Sequence, residues 1–164
     1  MARRVIIALL LLVSACRDTQ AADGGKAPAI PAAPGRPEYR WARVWVVTKG
    51  GDLPVRVEVA ENDRQRTHGL MFKEKLADDE GMVFLFDRTE VLNFWMRNTP
   101  LPLDMIFLGD DRRVVGVYEN ATPFSEARMS VGKPSRYVLE VNAGWARRHG
   151  VGPGTQVRFD GVER

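Results

Sequence analysis

Cysteine occurs once in these 164 residues, at Cys16, so no disulfide can form within the chain. Histidine occurs twice, as His68 and His149, and without a second thiol a metal site of the usual Cys/His kind is not expected. Long apolar runs are missing as well. The longest, at 5–13, has about nine residues, whereas a helix that spans a bilayer needs roughly 20. Runs of like charge are also absent. The formal charge is +3, and loss of Arg3 and Arg4 with a leader would leave +1, too neutral for electrostatic binding of nucleic acid. There is no phosphate loop, Gly-rich dinucleotide turn, metal-ligand helix or hydrolase elbow. These absences leave no cofactor and no metal to expect, and no reaction announced by a motif.

What is present begins with a targeting segment at 1–16. Arg3 and Arg4 give it a positive start, and the apolar run follows. Val13-Ser14-Ala15-Cys16 resembles the lipobox of bacterial lipoproteins, which makes Cys16 a lipidation site and the membrane a partner through an N-terminal lipid anchor. Arg17 rather than Asp follows the cysteine. In a Gram-negative cell that pattern resembles sorting to the periplasmic face of the outer membrane, so a cell-envelope location is expected. Residues 17–37 are rich in Ala, Gly and Pro and nearly free of large apolar side chains, and read as a flexible tether. A single globular domain is expected over 38–164.

That domain reads as mainly β: a compact antiparallel sandwich or barrel with two short helices. Strand-like runs at 41–48 and 55–60 flank Lys49-Gly50-Gly51-Asp52, a hairpin signal. The second run alternates, with Val55, Val57 and Val59 on one side and Arg56 and Glu58 on the other. Asn62 followed by Gln65 predicts a helix start with a capping box, and Gly69 a left-handed stop. The same grammar predicts a second helix with Asn142 as cap, 143–149 as body and Gly150 as stop. Each histidine precedes a terminating glycine, so helix-end roles outweigh catalysis for both. Residues 82–86 are apolar on both faces and read as a central strand. Further strands are expected at 93–96, 103–108, 113–118, 137–141 and 155–159, with a long polar loop at 120–134.

The chemistry concentrates in residues 93–104. An aromatic pair, a thioether, a cation, an amide, a hydroxyl and a carboxylate lie there, stiffened by Pro100 and Pro102. Trp95, Arg97, Asn98, Thr99 and Asp104 are the candidate ligand-binding set. Asp104 opens an otherwise apolar run, and Glu140 sits inside Tyr137-Val138-Leu139-Glu140-Val141. A carboxylate in a buried strand is costly unless paired or hydrogen-bonded. Asp104 is therefore expected to bond within the 95–99 bend. Met71, Met82, Met96 and Met105 read as core fillers rather than copper ligands.

Five motifs in order then resemble the bacterial and archaeal family called domain of unknown function 192. They are Arg66-Thr67-His68-Gly69-Leu70-Met71-Phe72, Gly81-Met82-Val83-Phe84, Phe94-Trp95-Met96-Arg97-Asn98-Thr99, Leu103-Asp104, and residues 137–141 with Gly144. The resemblance runs from about Val55 to Phe159 and implies a compact β fold with short helices, but no reaction. Arg112 stands where the family would place a turn glycine.

The leading expectation is a lipid-anchored envelope domain that binds a small ligand or an envelope protein. One alternative is a hydrolase or lyase that uses Asp104 and Glu140 as an acid–base pair. The other is a purely structural envelope module, which would have no open pocket beside Trp95.

Overall fold

The computed structural model describes residues 35–163. The leader at 1–16, Cys16 and nearly all of the tether lie outside the described residues. The domain has seven strands and two short helices, in one sheet that curls into a half-barrel. The mainly-β expectation holds, in a form closer to a barrel than to a sandwich.

β1 (Arg40–Thr48) and β2 (Gly51–Ala60) form the expected hairpin, closed at Thr48 opposite Gly51. Gly51 takes φ 118°, a conformation that a side chain would strain. Val55, Val57 and Val59 turn inward as their alternation requires. Glu58, expected beside Arg56 on the solvated face, is buried instead. It is ion-paired with Arg36 at 2.7 Å and Lys73 at 3.3 Å. The chain before β1 covers this face, with Pro37 buried and the Arg36 guanidinium 4.8 Å over the Tyr39 ring. Among the described residues, Gly35 and Arg36 already touch the domain, Gly35 through its carbonyl, which accepts from Arg64 at 3.4 Å.

After β2 the chain crosses over to a parallel partner. Residues 61–79 carry α1 (Asp63–His68) across and deliver β3 (Glu80–Val91) alongside β2, the one parallel junction in the sheet. Parallel neighbours need such a crossover of a dozen or more residues. α1 has the capping box expected of it: the Gln65 N–H donates to the Asn62 side chain, and the Gln65 side chain accepts from the Asn62 N–H. Gly69 ends it at φ 51°.

The remaining strands are β4 (Leu103–Leu108), β5 (Val114–Ala121), β6 (Pro134–Asn142) and β7 (Gln156–Asp160), with α2 (Trp145–Arg148) after β6. The order across the sheet is β5-β4-β6-β3-β2-β1-β7. Next to the β4–β5 turn, Arg112 has φ 62°, so it adopts the left-handed backbone that the resemblance assigned to glycine. The rims of the sheet meet at one end through the Arg113–Gln156 bridge and the Val114 N–H bonded to the Thr155 carbonyl at 2.9 Å.

β3, β4 and β6 are buried on both faces, so there are two cores. Inside the curl, Val44, Val46, Val55 and Val57 pack with Val83, Ile106, Leu139 and Val141, plugged by Trp145 and Ala146 of α2. On the opposite face Met82, Phe84, Met105, Phe107 and Val138 lie beneath Leu70, Leu92, Met96 and Met129.

Two local expectations are corrected. Residues 93–96 are not a strand: only Phe94 pairs, as an isolated bridge to Met129, because the segment turns at Asn98 (φ 53°) into the Pro100–Pro102 stretch. Asn142 does not cap α2 either. It belongs to β6, and its amide donates to the Leu76 carbonyl at 2.9 Å. The true N-cap position is Gly144, in the left-handed conformation.

Candidate functional site

The second core is incompletely roofed. Between the end of α1 and residues 93–99 a cleft of about 190 Å³ opens. Its walls include Arg66, His68, Met71, Phe84, Phe86, Phe94, Trp95, Thr99 and Glu140. Two of the sequence motifs meet across it. The Phe72 N–H donates to the Asn98 carbonyl at 2.8 Å, and the Asn98 amide lies 3.9 Å from the Met71 thioether. Both joints need special backbone, since Phe72 and Asn98 have φ 62° and 53°. The aromatic wall is fixed by edge-to-face contacts from Phe94 to Phe84 and Phe107, at 5.1 and 5.8 Å between centroids. Trp95 is 48% exposed, a large aromatic on the cleft wall that remains open to solvent.

Glu140 is the unusual group. Its residue is 4% exposed, in a central strand between Met82 of β3 and Met105 of β4. Neither neighbour can pair with a carboxyl, and no hydrogen bond or ion pair reaches it from the described residues. Burial alone pushes its carboxyl up to about 8, so at neutral pH it is mostly an uncharged acid.

His68 supplies a second unpartnered group. Its Nδ1 lies 3.2 Å from the Gly69 carbonyl and 3.4 Å from the Tyr39 hydroxyl. A carbonyl oxygen only accepts, so in the neutral ring the proton belongs on Nδ1. That assignment leaves Nε2 a bare acceptor, and it is buried with no partner. The Tyr39 hydroxyl sits among the Gln65 and Gly69 carbonyls at 3.2 and 3.3 Å. Burial, opposed by Arg36 and reinforced by Glu58 and Glu140, pushes its phenol up to about 12. The Arg66 guanidinium is occupied: it donates to the Leu85 carbonyl at 2.7 Å, pairs with Asp63 at 2.5 Å and lies 5.3 Å over Phe86.

The structure divides the sequence-derived set. Trp95, Thr99 and Glu140 come together in the cleft wall. Arg97 stands outside it, 5.7 Å over the Trp95 ring and paired with Glu126 at 3.1 Å. Asn98 braces the wall from behind. Asp104 is elsewhere. Its carboxylate is fully buried and accepts from the N–H groups of Asn120, Gly144 and Ala146 at 2.9, 3.0 and 2.9 Å. The expected bonds to the 95–99 bend do not form. Asp104 lies opposite Val141 while Glu140 lies opposite Met105. Since successive residues of a strand face opposite ways, the two carboxyls are on opposite faces of the sheet. The Asp104–Glu140 acid–base pair is therefore corrected: no single cleft holds both.

His68, Arg66 and Met71 were not read as site residues from sequence. Helix-end grammar accounted for Gly69 and absorbed His68 with it. The available signal was the Arg66–Phe72 motif itself, whose Thr-His-Gly-Leu-Met order exceeds what stopping a helix requires.

Among protein families, domain of unknown function 192, described as an uncharacterised ACR, matches residues 45–159. No curated protein matches this chain. A crystal structure from Sinorhizobium meliloti, of a protein described as a candidate transcription regulator, is 41% identical with a TM-score of 0.72, and the match covers 76% of this chain and 98% of that one. A protein of unknown function from Novosphingobium aromaticivorans is 40% identical with a TM-score of 0.71, covering 82% of this chain and 99% of that one.

Proposed function

We propose that this chain, which belongs to the domain of unknown function 192 family, is a lipid-anchored cell-envelope domain that binds a small ligand in the cleft between α1 and residues 93–99. The observation that carries this reading is that one aromatic cleft holds both His68 Nε2, buried with no hydrogen-bond partner, and the Glu140 carboxyl, which has no ion pair. Leaving a buried polar group without a hydrogen bond costs roughly 1–3 kcal/mol. A fold that needed only packing would place Leu or Met at 140. A mostly apolar hollow with a few convergent polar groups is the usual form of a small-molecule site. A purely structural module has no use for the opening beside Trp95.

The anchor rests on Cys16 and its lipobox-like context alone. The regulator description of the Sinorhizobium protein finds little to support it here. The two helices among the described residues have six and four residues, short for a helix that reads a major groove, and the sequence carries no long basic run. Binding is the reading to test first.

The test is a thermal-shift screen of small polar metabolites on the full chain, repeated with His68→Ala and Glu140→Gln. A ligand at 100 times its dissociation constant stabilises by about 2.7 kcal/mol, enough for a clear shift. A hit lost in both variants supports the cleft. Hits unaffected by either variant place binding elsewhere and overturn the reading.

A further inference from the structure

Resting on that reading, the geometry points to a ligand class: the cleft takes a small primary ammonium cation on a short apolar stem, its head held by the Glu140 carboxyl and His68 Nε2 and its stem by Phe84, Phe86, Phe94 and Trp95. The wall carries donors on Thr67, Asn93 and the Trp95 indole, and it sets acceptors and aromatic faces around the hollow as well. His68 Nε2 presents a lone pair because Nδ1 faces the Gly69 carbonyl. The Thr99 hydroxyl already spends its proton on the Arg97 carbonyl at 3.1 Å, so it too offers only lone pairs. Aromatic faces carry negative charge density and attract cations. An ammonium head brings three N–H donors and a positive charge. A carboxylate head would meet lone pairs and π faces instead.

The cationic side chains that could favour an anion are engaged. Arg66 is committed to Asp63, two carbonyls and the Phe86 face, and Arg97 lies outside the wall on Glu126. The size also fits. A cavity of ~150 Å³ is known to hold benzene, and this one has about 190 Å³.

Docking an ammonium requires the Glu140 carboxyl to ionise, and its proton leaves to the buffer. The groups around it set the pH response. Met82 and Met105 on the adjoining strands are neutral, Trp95 and Thr99 likewise, and the ionisable neighbours are Arg66 and His68 in the wall and Tyr39 behind His68. Affinity should therefore rise about tenfold per pH unit until the carboxyl is ionised unaided, near pH 8, and level off above.

The experiment is calorimetric titration of the full chain with three probes of one shape: n-butylammonium, n-butanol and butyrate, from pH 6 to 9 and in buffers of different ionisation enthalpy. The expected result is that n-butylammonium binds at least about tenfold more tightly than either analogue. Its binding should release close to one proton at pH 6–7, and Glu140→Gln should remove both the preference and the pH slope. Thr99→Val, which keeps the carboxyl, should weaken binding and retain the slope. Equal or tighter binding of n-butanol or butyrate, or n-butylammonium binding unchanged in Glu140→Gln, overturns the ammonium assignment and leaves the cleft reading standing. No binding of any of the three to wild type overturns both.

Discussion

A glutamic acid with no partner, deep in a β core, is a cost that shows in pH dependence. In an unfolded chain Glu140 ionises near 4.5, and in the folded protein burial moves this to about 8. Between those values the folded state keeps a proton that the unfolded state has lost. Stability therefore falls as pH rises through the window, by at most about 1.4 kcal/mol per pH unit. Below about 4.5 the group is neutral in both states and contributes no slope. Above about 8 it is ionised in both and the loss is complete. Glu140→Gln should be close to wild type in stability at pH 4 and clearly more stable at pH 8. Urea unfolding across that range measures it, and parallel profiles for the two proteins would count against a neutral buried acid. Glu58, equally buried, has Arg36 and Lys73 within salt-bridge distance, partners that Glu140 lacks. Burial alone does not decide what a carboxyl does; the company it keeps does.

At the scale of elements, Asp104 does for α2 what Asn62 does for α1, from a distant strand. α2 has only four residues and no side-chain cap of its own. Its leading N–H groups are satisfied by a carboxylate from β4, which also holds the Asn120 N–H of β5. Asp104→Ala should strand three donors, two of them buried, and cost roughly 3 kcal/mol, while the cleft on the opposite face keeps its ligand affinity. Asn98→Ala acts through Met71 and shares no partner with Asp104, so the losses should add within about 0.5 kcal/mol. Strong coupling in the double mutant would show that the two faces communicate. The division between what sequence revealed and what it concealed follows the same line. Capping signals and hairpin glycines are local, and the Asn62–Gln65 box, the Gly69 stop and the β1–β2 turn were legible. So was the inward Val55-Val57-Val59 stripe. The α2 cap was not, because its acceptor lies about 40 residues away in the chain. The cleft was half legible. Trp95, Thr99, Asp104 and Glu140 drew notice as polar or aromatic groups among apolar ones, but that Asp104 and Glu140 face opposite ways depends on the register of β4 against β6. His68 was missed because a local role explained it well enough.

For the molecule as a whole, the anchor at Cys16 and the folded domain are expected to act independently. Metabolic labelling with a fatty acid should mark the wild type and not Cys16→Ser, and the unlabelled variant should fold with the same thermal transition. Labelling that survives the substitution, or release of the wild type from membranes by high salt alone, would remove the anchor from the account. No helix among the described residues is long and apolar enough to cross a membrane.

The strand order carries a further consequence, for how this domain is made. β1 lies between β2 and β7, so one side of the first strand waits for residues 156–160, with Arg43 meeting Asp160. During synthesis or translocation from the N-terminus, the β1–β2 hairpin emerges early and keeps one row of backbone donors and acceptors open until the last strand arrives. Such an edge can template the wrong partner. Loop closure over that span is also slow to be rewarded, and such long-range pairing slows folding. Residues 156–160 thus cover that side of β1, and their loss would leave its backbone open to a second copy of the chain.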